Sequence, residues 1–259
     1  MSIITLTSDW GLKDHYLSVV KAAILSRLPE TIIIDISHQI PPFDLNQASF
    51  IITNCWKGFP NGTVHIIGIN TEAGIKSPHT AVEMEGHYFI GADNGIFSLI
   101  FDKQPERIIE IEIAQDSEYF TFSTRDVFVK AAVHLLKGNS IEDLGIPRNS
   151  LTPCASFQPV ITQNAITGKV IYVDVYENVF TNISREMFQQ VIKGRHFQIE
   201  LGYIKNKINR ISDSYGDVPE GEIVALFSST GLLQIAINHG NASGLLGLSI
   251  DDSIRIVFE

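Results

Sequence analysis

The chain has little cysteine, little positive charge and no long apolar run. Two cysteines, Cys55 and Cys154, occur in 259 residues. They lack the spacing of metal ligands and fall in segments that predict different elements, so reduced structural thiols and no metal site are expected. Lys and Arg number 19 against 29 Asp and Glu, a formal net charge of -10. Nucleic acid and anionic membrane both demand clustered Lys and Arg, so neither is expected as a partner; a cationic small molecule is favoured. No apolar stretch reaches the roughly 18 residues of a membrane span. The chain opens on Ser2-Ile3-Ile4 without a basic leader, which points to the cytoplasm. Repeats and low-complexity tracts are lacking too. What remains is a globular composition, 44% hydrophobic and 19% charged, with length for one large domain or two unequal ones.

What is there begins at the first strand. Ile3 to Thr7 breaks into Ser8-Asp9-Trp10-Gly11-Leu12-Lys13-Asp14, and Leu17, Val20 and Ile24 then recur at helical spacing. Asp9 and Asp14 therefore lie beside the turn after the first strand. In an open α/β sheet that edge binds ligands, and a carboxylate there grips a ribose diol. The alternative is that Ser8, Asp9 or Asp14 caps the helix. Further strands are predicted at Thr31 to Ile36 and Thr63 to Ile69, with a helix from Asp44 through Trp56 between them. A hairpin follows at Ala81 to Met84 and Tyr88 to Ile90 around Glu85-Gly86-His87, then a helix from Val127 to Leu136 stopped by Gly138. Beyond Leu151 the pattern changes to short β runs: Val170 to Val173, His196 to Leu201, Lys207 to Ile211, Ile223 to Phe227, Leu232 to Ile237 and Ile254 to Phe258. The expected fold class is α/β: an N-terminal αβα domain with a mainly parallel sheet over 1–152, a linker over 153–164, and a small antiparallel β-barrel-like domain over 165–259.

Four more loops carry chemistry. Asn70 to Ser77 leaves a buried-type strand at its carboxyl end. Thr121-Phe122-Ser123-Thr124-Arg125-Asp126 precedes a helix, where hydroxyls and free amides can hold an anion or a water, or where Ser123 or Thr124 is simply an N-cap. Asp174 to Asn182 offers an aromatic, Tyr176, and amides at Asn178 and Asn182, suited to stacking a purine and reading its edge, or else forms a polar hairpin loop. Ser228-Ser229-Thr230-Gly231 is a hydroxyl-rich turn.

In order and spacing these segments, with Ile40-Pro41-Pro42-Phe43-Asp44, Phe59 to His65, Asp93-Asn94-Gly95 and Asn238 to Ala242, resemble the S-adenosylmethionine hydroxide adenosyltransferase family, which also contains fluorinases and chlorinases. The resemblance implies S-adenosylmethionine as substrate, no cofactor, and a homotrimer with each site shared between neighbouring chains. It implies that Asp9 holds the ribose hydroxyls, that Asp14, Phe43, Asp174, Ser229 and Thr230 contact the methionine portion, and that Tyr176 and Asn178 hold adenine. Phe122 and Thr124 would lie near C5′. Thr230 replaces an arginine of the fluorinase. The hydroxide-using members share an Asp, Arg and His set that orients the attacking water; here those positions hold Asn70, Ser77 and Ser123. Lys76 and His79 lie close by in sequence, with His79 expected at the surface. Halogenases carry Tyr at the Asn70 position and the fluorinase Thr at the Ala73 position, so only Thr124, where the fluorinase has a halide-contacting serine, points towards halide. The expected activity is slow hydrolysis to adenosine and L-methionine. The alternatives are a halide-using relative that makes a 5′-halo-5′-deoxyadenosine, and a non-catalytic protein that binds S-adenosylmethionine or adenosine.

Overall fold

The structure is a computed structural model that describes residues 2–115, 121–202 and 208–259. It divides into two compact units, Met1–Ala155 and Ser156–Glu259.

In the first unit, β-branched runs form the strands β1 (Ile3–Ser8), β2 (Ile32–Ser37), β3 (Val64–Gly68), β4 (His79–Met84), β5 (His87–Ala92), β6 (Arg107–Ile111) and β7 (Gly145–Pro147). Helices α1 (Tyr16–Leu25), α2 (Leu45–Thr53), α3 (Ile96–Ile100) and α4 (Val129–Leu136) connect or cover them. The sheet order is β2-β1-β3-β5-β4-β6-β7. Its first four strands are parallel neighbours, and β4, β6 and β7 pair antiparallel. β1 is buried along its whole length, as a central parallel strand is. Val20 and Ile24 of α1 pack with Ile4, Leu6 and Phe128 in one core, while Ala48 and Ile52 of α2 pack with Trp56, Phe89 and Phe97 in another. The chain leaves β1 for β2 on one side and returns as β3 on the other. That reversal makes the carboxyl ends of β1 and β3 a topological switch point, the place where α/β sheets bind ligands.

Several boundaries differ from expectation, two of them with a clear local cause. The helix begun by Asp44, whose Oδ1 accepts the Gln47 amide at 3.0 Å, stops at Thr53 rather than Trp56. The β4–β5 hairpin turns on two residues, Glu85 and Gly86, at φ 49 and 79. Such a double left-handed turn matches the strand twist, so His87 pairs with Met84 inside the ladder rather than sitting in the loop.

The second unit contains β8 (Val160–Ile161), β9 (Ala165–Val173), β10 (Val179–Ser184), β11 (Phe197–Leu201), β12 (Ile223–Phe227), β13 (Leu232–Ile237) and β14 (Ser253–Phe258), with helices α5 (Arg185–Ile192) and α6 (Ala242–Leu246). The sheet runs β11-β14-β9-β10-β13-β12, antiparallel throughout, with β8 on β9. The expected mixed α/β class with an antiparallel second part is thus observed. Val170 to Val173 is only the end of a nine-residue strand. Of the run Lys207 to Ile211, Lys207 lies outside the described residues, and Ile208 makes an isolated bridge to Ile199.

Candidate active site

Asp9 directly follows β1. Its Oδ2 accepts the amide of Phe43 at 2.9 Å, joining the loops after β1 and β2. Phe43 is held at φ 66 and is 68% exposed. Among the described residues no side chain caps α1, which begins after a helical His15, so Ser8, Asp9 and Asp14 are not its caps; Asp14 is exposed in the preceding turn. Trp10 lies over Gly68, where a Cβ would come within 2.5 Å of the indole, so only glycine admits this approach. On its other side Trp10 meets Phe122 edge-on at 5.4 Å. The loop after β1 is therefore packed against the segment that carries Ser123 and Thr124.

Asn70 lies two residues past β3 at φ 46, and its carbonyl accepts a hydrogen bond from the Asn94 side-chain amide at 3.1 Å, tying the loops after β3 and β5. Gly74 and Ser77 close a tight turn with reciprocal backbone bonds of 3.3 and 3.0 Å. Ser77 is half-buried and Lys76 exposed. His79, expected at the surface, is only 8% exposed. It starts β4 beside Ala92, places Nε2 3.0 Å from the Thr71 carbonyl, and meets Phe128 edge-on at 5.0 Å. Burial pushes its pKa down, with the Thr71 hydrogen bond opposing, so the ring is neutral at pH 7 and Nε2 carries the donated hydrogen. Thr124–Phe128 forms a wide π-helical turn into α4. Ser123 and Thr124 are buried, Ser123 makes no capping bond, and Thr124 Oγ1 has no hydrogen-bond partner among the described residues.

In the second unit five of the expected residues meet. Asp174, Tyr176, Asn178, Ser229 and Thr230 line one cavity of about 1110 Å³. The Asp174–Asn178 turn is organised by one carboxylate: Oδ1 accepts the amides of Tyr176 at 2.9 Å and Asn178 at 2.8 Å, and Oδ2 accepts the Asn178 side chain at 3.0 Å. Asn178 is 8% exposed and Tyr176 75%, so the turn buries the amide and projects the ring. The Thr230 and Ser228 hydroxyls pair at 2.8 Å.

The cavity also holds residues that were assigned no role from the sequence. Tyr215 donates its hydroxyl to Oε1 of buried Gln234 at 2.8 Å. Burial raises the Tyr215 pKa, the Gln234 bond opposes this, and the Asp174 charge adds to the rise, so the phenol stays protonated. Tyr215 is presented by a turn in which the Asp217 carboxylate accepts the amides of Asp213 and Ser214 at 2.8 and 3.1 Å. The Ser-x-x-Asp spacing of 214 and 217 was the available signal for that turn. Asp213, Phe227, His239 and Asn241 are also among the residues that line the cavity. No group of three or more potential metal ligands occurs among the described residues.

An α/β unit with its loops gathered at a switch point, followed by an antiparallel unit with an aromatic- and amide-lined cavity, defines a two-part architecture shared with known proteins. Family models described as the SAM hydroxide adenosyltransferase N-terminal and C-terminal domains match residues 4–145 and 168–255. The chain belongs to that family. It is 30% identical to a protein of Thermus thermophilus named (R)-S-adenosyl-L-methionine hydrolase, over 99% of this chain and 100% of that protein. One of the same name from Methanocaldococcus jannaschii is 28% identical over 100% and 97%. More distant relatives include a protein of Nocardia brasiliensis named fluorinase, 23% identical over 98% of this chain and 96% of that protein. Among solved structures, an uncharacterized conserved protein from Thermotoga maritima superposes with a TM-score of 0.89 at 31% identity, covering 98% of this chain and 99% of that one.

Proposed function

We propose that this protein is an S-adenosylmethionine hydrolase that releases adenosine and L-methionine. The observation that carries the reading is the meeting of Asp174, Tyr176, Asn178, Ser229 and Thr230 in one cavity, in a chain that corresponds over its full length to proteins named as such hydrolases. Water attacks C5′, a C–O bond forms, the C5′–S bond breaks, and its electron pair returns to sulfur as the neutral thioether of methionine. The proton of the water passes to solvent. A sulfonium is an excellent leaving group, so the protein has chiefly to hold the two reactants in line, which supplies up to roughly 7 to 11 kcal/mol in favourable cases. In this reading Asp9 holds the ribose diol, Tyr176 and Asn178 hold adenine, and Asp14, Phe43, Asp174, Ser229 and Thr230 face the methionine portion. Phe122 borders C5′. Asn70, Ser77, Ser123 and Thr124 position the water by hydrogen bonds. None of those four is a base near neutral pH, so turnover is slow. S-adenosylmethionine enters as substrate, with no cofactor or metal. The homotrimer implied by the resemblance and a cytoplasmic location belong to the same proposal, the latter supported by two unpaired cysteines.

Purified protein incubated with S-adenosylmethionine is expected to release adenosine and methionine above the enzyme-free control, at a rate indifferent to chloride. A halonucleoside whose yield follows halide concentration would replace this reading with the halide-using one. Binding without product favours the sensor, for which the uncharged Asn70, Ser77 and Ser123 speak. The triple variant Asn70→Asp, Ser77→Arg, Ser123→His is expected to raise hydrolysis by up to about two to four powers of ten. A folded, ligand-binding triple variant with no gain would move the water to another loop.

A further inference from the structure

Beneath Asp9 lies a buried polar chain that the proposed reaction does not use. The Ser8 hydroxyl is 2.6 Å from His38 Nδ1, and both residues are buried. On the far side of the ring, Asp35 Oδ1 lies 3.1 Å from Nε2, close enough for electrostatic attraction but not aligned as a hydrogen bond. Asp35 is itself held by Lys21 at 2.6 Å. Burial raises the Asp35 pKa, but the contacts from Lys21 and His38 outweigh it and the carboxyl sits below its ordinary value. The His38 backbone adds a second grip, its carbonyl accepting the Gly11 amide at 2.7 Å. His38 thus holds the residue before Asp9 by its side chain and the turn two residues after it by its backbone. Asp9 has no such hold of its own, being tied only to the Phe43 amide among the described residues.

We propose that His38 is a positioning residue for Asp9, and that its bond to Ser8 sets the angle at which the Asp9 carboxylate meets a vicinal diol. The proposal rests on the reading of Asp9 as the ribose-binding group. A two-oxygen grip on two hydroxyls tolerates little rotation, because both bonds must be near linear and near 2.7 Å to be strong. A packed imidazole with a carboxylate behind it is stiffer than a serine hydroxyl alone, which rotates to suit its surroundings.

The test compares adenosine with 2′,3′-dideoxyadenosine, which lacks the diol, by calorimetry on the full chain. The natural protein is expected to prefer adenosine. His38→Ala is expected to weaken adenosine about five- to tenfold, the size of one lost neutral hydrogen bond, and to leave dideoxyadenosine unchanged. His38→Asn, whose amide can reach Ser8, is expected to recover part of the preference. Should His38→Ala fail to fold, Ser8→Ala cuts the same link and is expected to show the same selective loss. Equal weakening of both ligands, or no change in either, would reduce His38 to a packing residue and overturn the proposal while the reading of Asp9 stands. If the natural protein does not distinguish the two ligands, or binds neither, the reading of Asp9 fails and takes the proposal with it.

Discussion

Among the described residues the Asp9 carboxylate accepts one hydrogen bond, from an amide in the loop after β2, so removing it has a small cost to the fold and a large one to the ligand. Asp9→Ala is expected to keep its melting temperature within a few degrees and to lose adenosine affinity by about ten- to a hundredfold, the span of a charge-assisted hydrogen bond. Calorimetry on the folded variant decides, and unchanged affinity would leave Asp9 as a loop tie. His65 behaves in the opposite way, with a large effect on the fold. Its Nδ1 is 2.8 Å from the buried Thr5 hydroxyl and its Nε2 is 3.2 Å from His87 Nδ1. Burial first, and the His87 charge second, lower its pKa from 6.5 to about 3. The folded state therefore refuses a proton that the unfolded chain accepts below 6.5. Stability from this group is complete above that value and falls with acid, by up to about 1.4 kcal/mol per pH unit, until about pH 3. The melting temperature is expected to drop between pH 7.5 and pH 5, and His65→Asn to flatten that drop. An equal slope in the variant would assign the acid sensitivity elsewhere.

At the level of elements, the turn between β9 and β10 depends on one side chain. Three donors converge on the Asp174 carboxylate, so Asp174→Ala leaves the exposed Tyr176 amide, the part-buried Asn178 amide and the Asn178 side chain without their acceptor. A destabilisation of about 1 to 3 kcal/mol is expected, together with loss of ligand binding through the displaced Tyr176 and Asn178. Urea unfolding and calorimetry on the same sample measure both, and full stability in the variant would contradict the account. The same region shows where sequence patterns were insufficient. β10 follows the turn so closely that Val179 to Asn182 passes for loop. α5, capped by Ser184 Oγ on the Met187 amide at 3.1 Å, is only eight residues long, four polar and four apolar, too short for the helical period to stand out. β1, β12 and β13, by contrast, are runs dominated by apolar or β-branched residues, with Gln234 the one polar residue inside β13, and were legible almost to the residue.

For the whole molecule, the expected assembly is a homotrimer at assay concentration, because the proposed function assigns the ribose to Asp9 and the adenine to Tyr176 and Asn178, and the resemblance implies that neighbouring chains share each site. Sedimentation velocity gives the mass directly, and a strict monomer that binds adenosine tightly would remove the shared site. By itself the sequence determined the class of the fold, most of its strands though not β6, β7, β8 or β10, and Asp9, Asp174, Tyr176, Asn178, Ser229 and Thr230 as candidates. Those features are local: hydrophobic period, turn chemistry and short motifs are written in adjacent residues. Only the tertiary structure decided that His79 is buried against Phe128, that Tyr215 reaches Gln234 across the second unit's cavity, and that Ser8, His38 and Asp35 form one chain beneath Asp9. Each of these joins residues on separate elements, and whether a polar side chain meets water or a partner depends on how strands pair and helices cover them, which no stretch of neighbouring residues encodes.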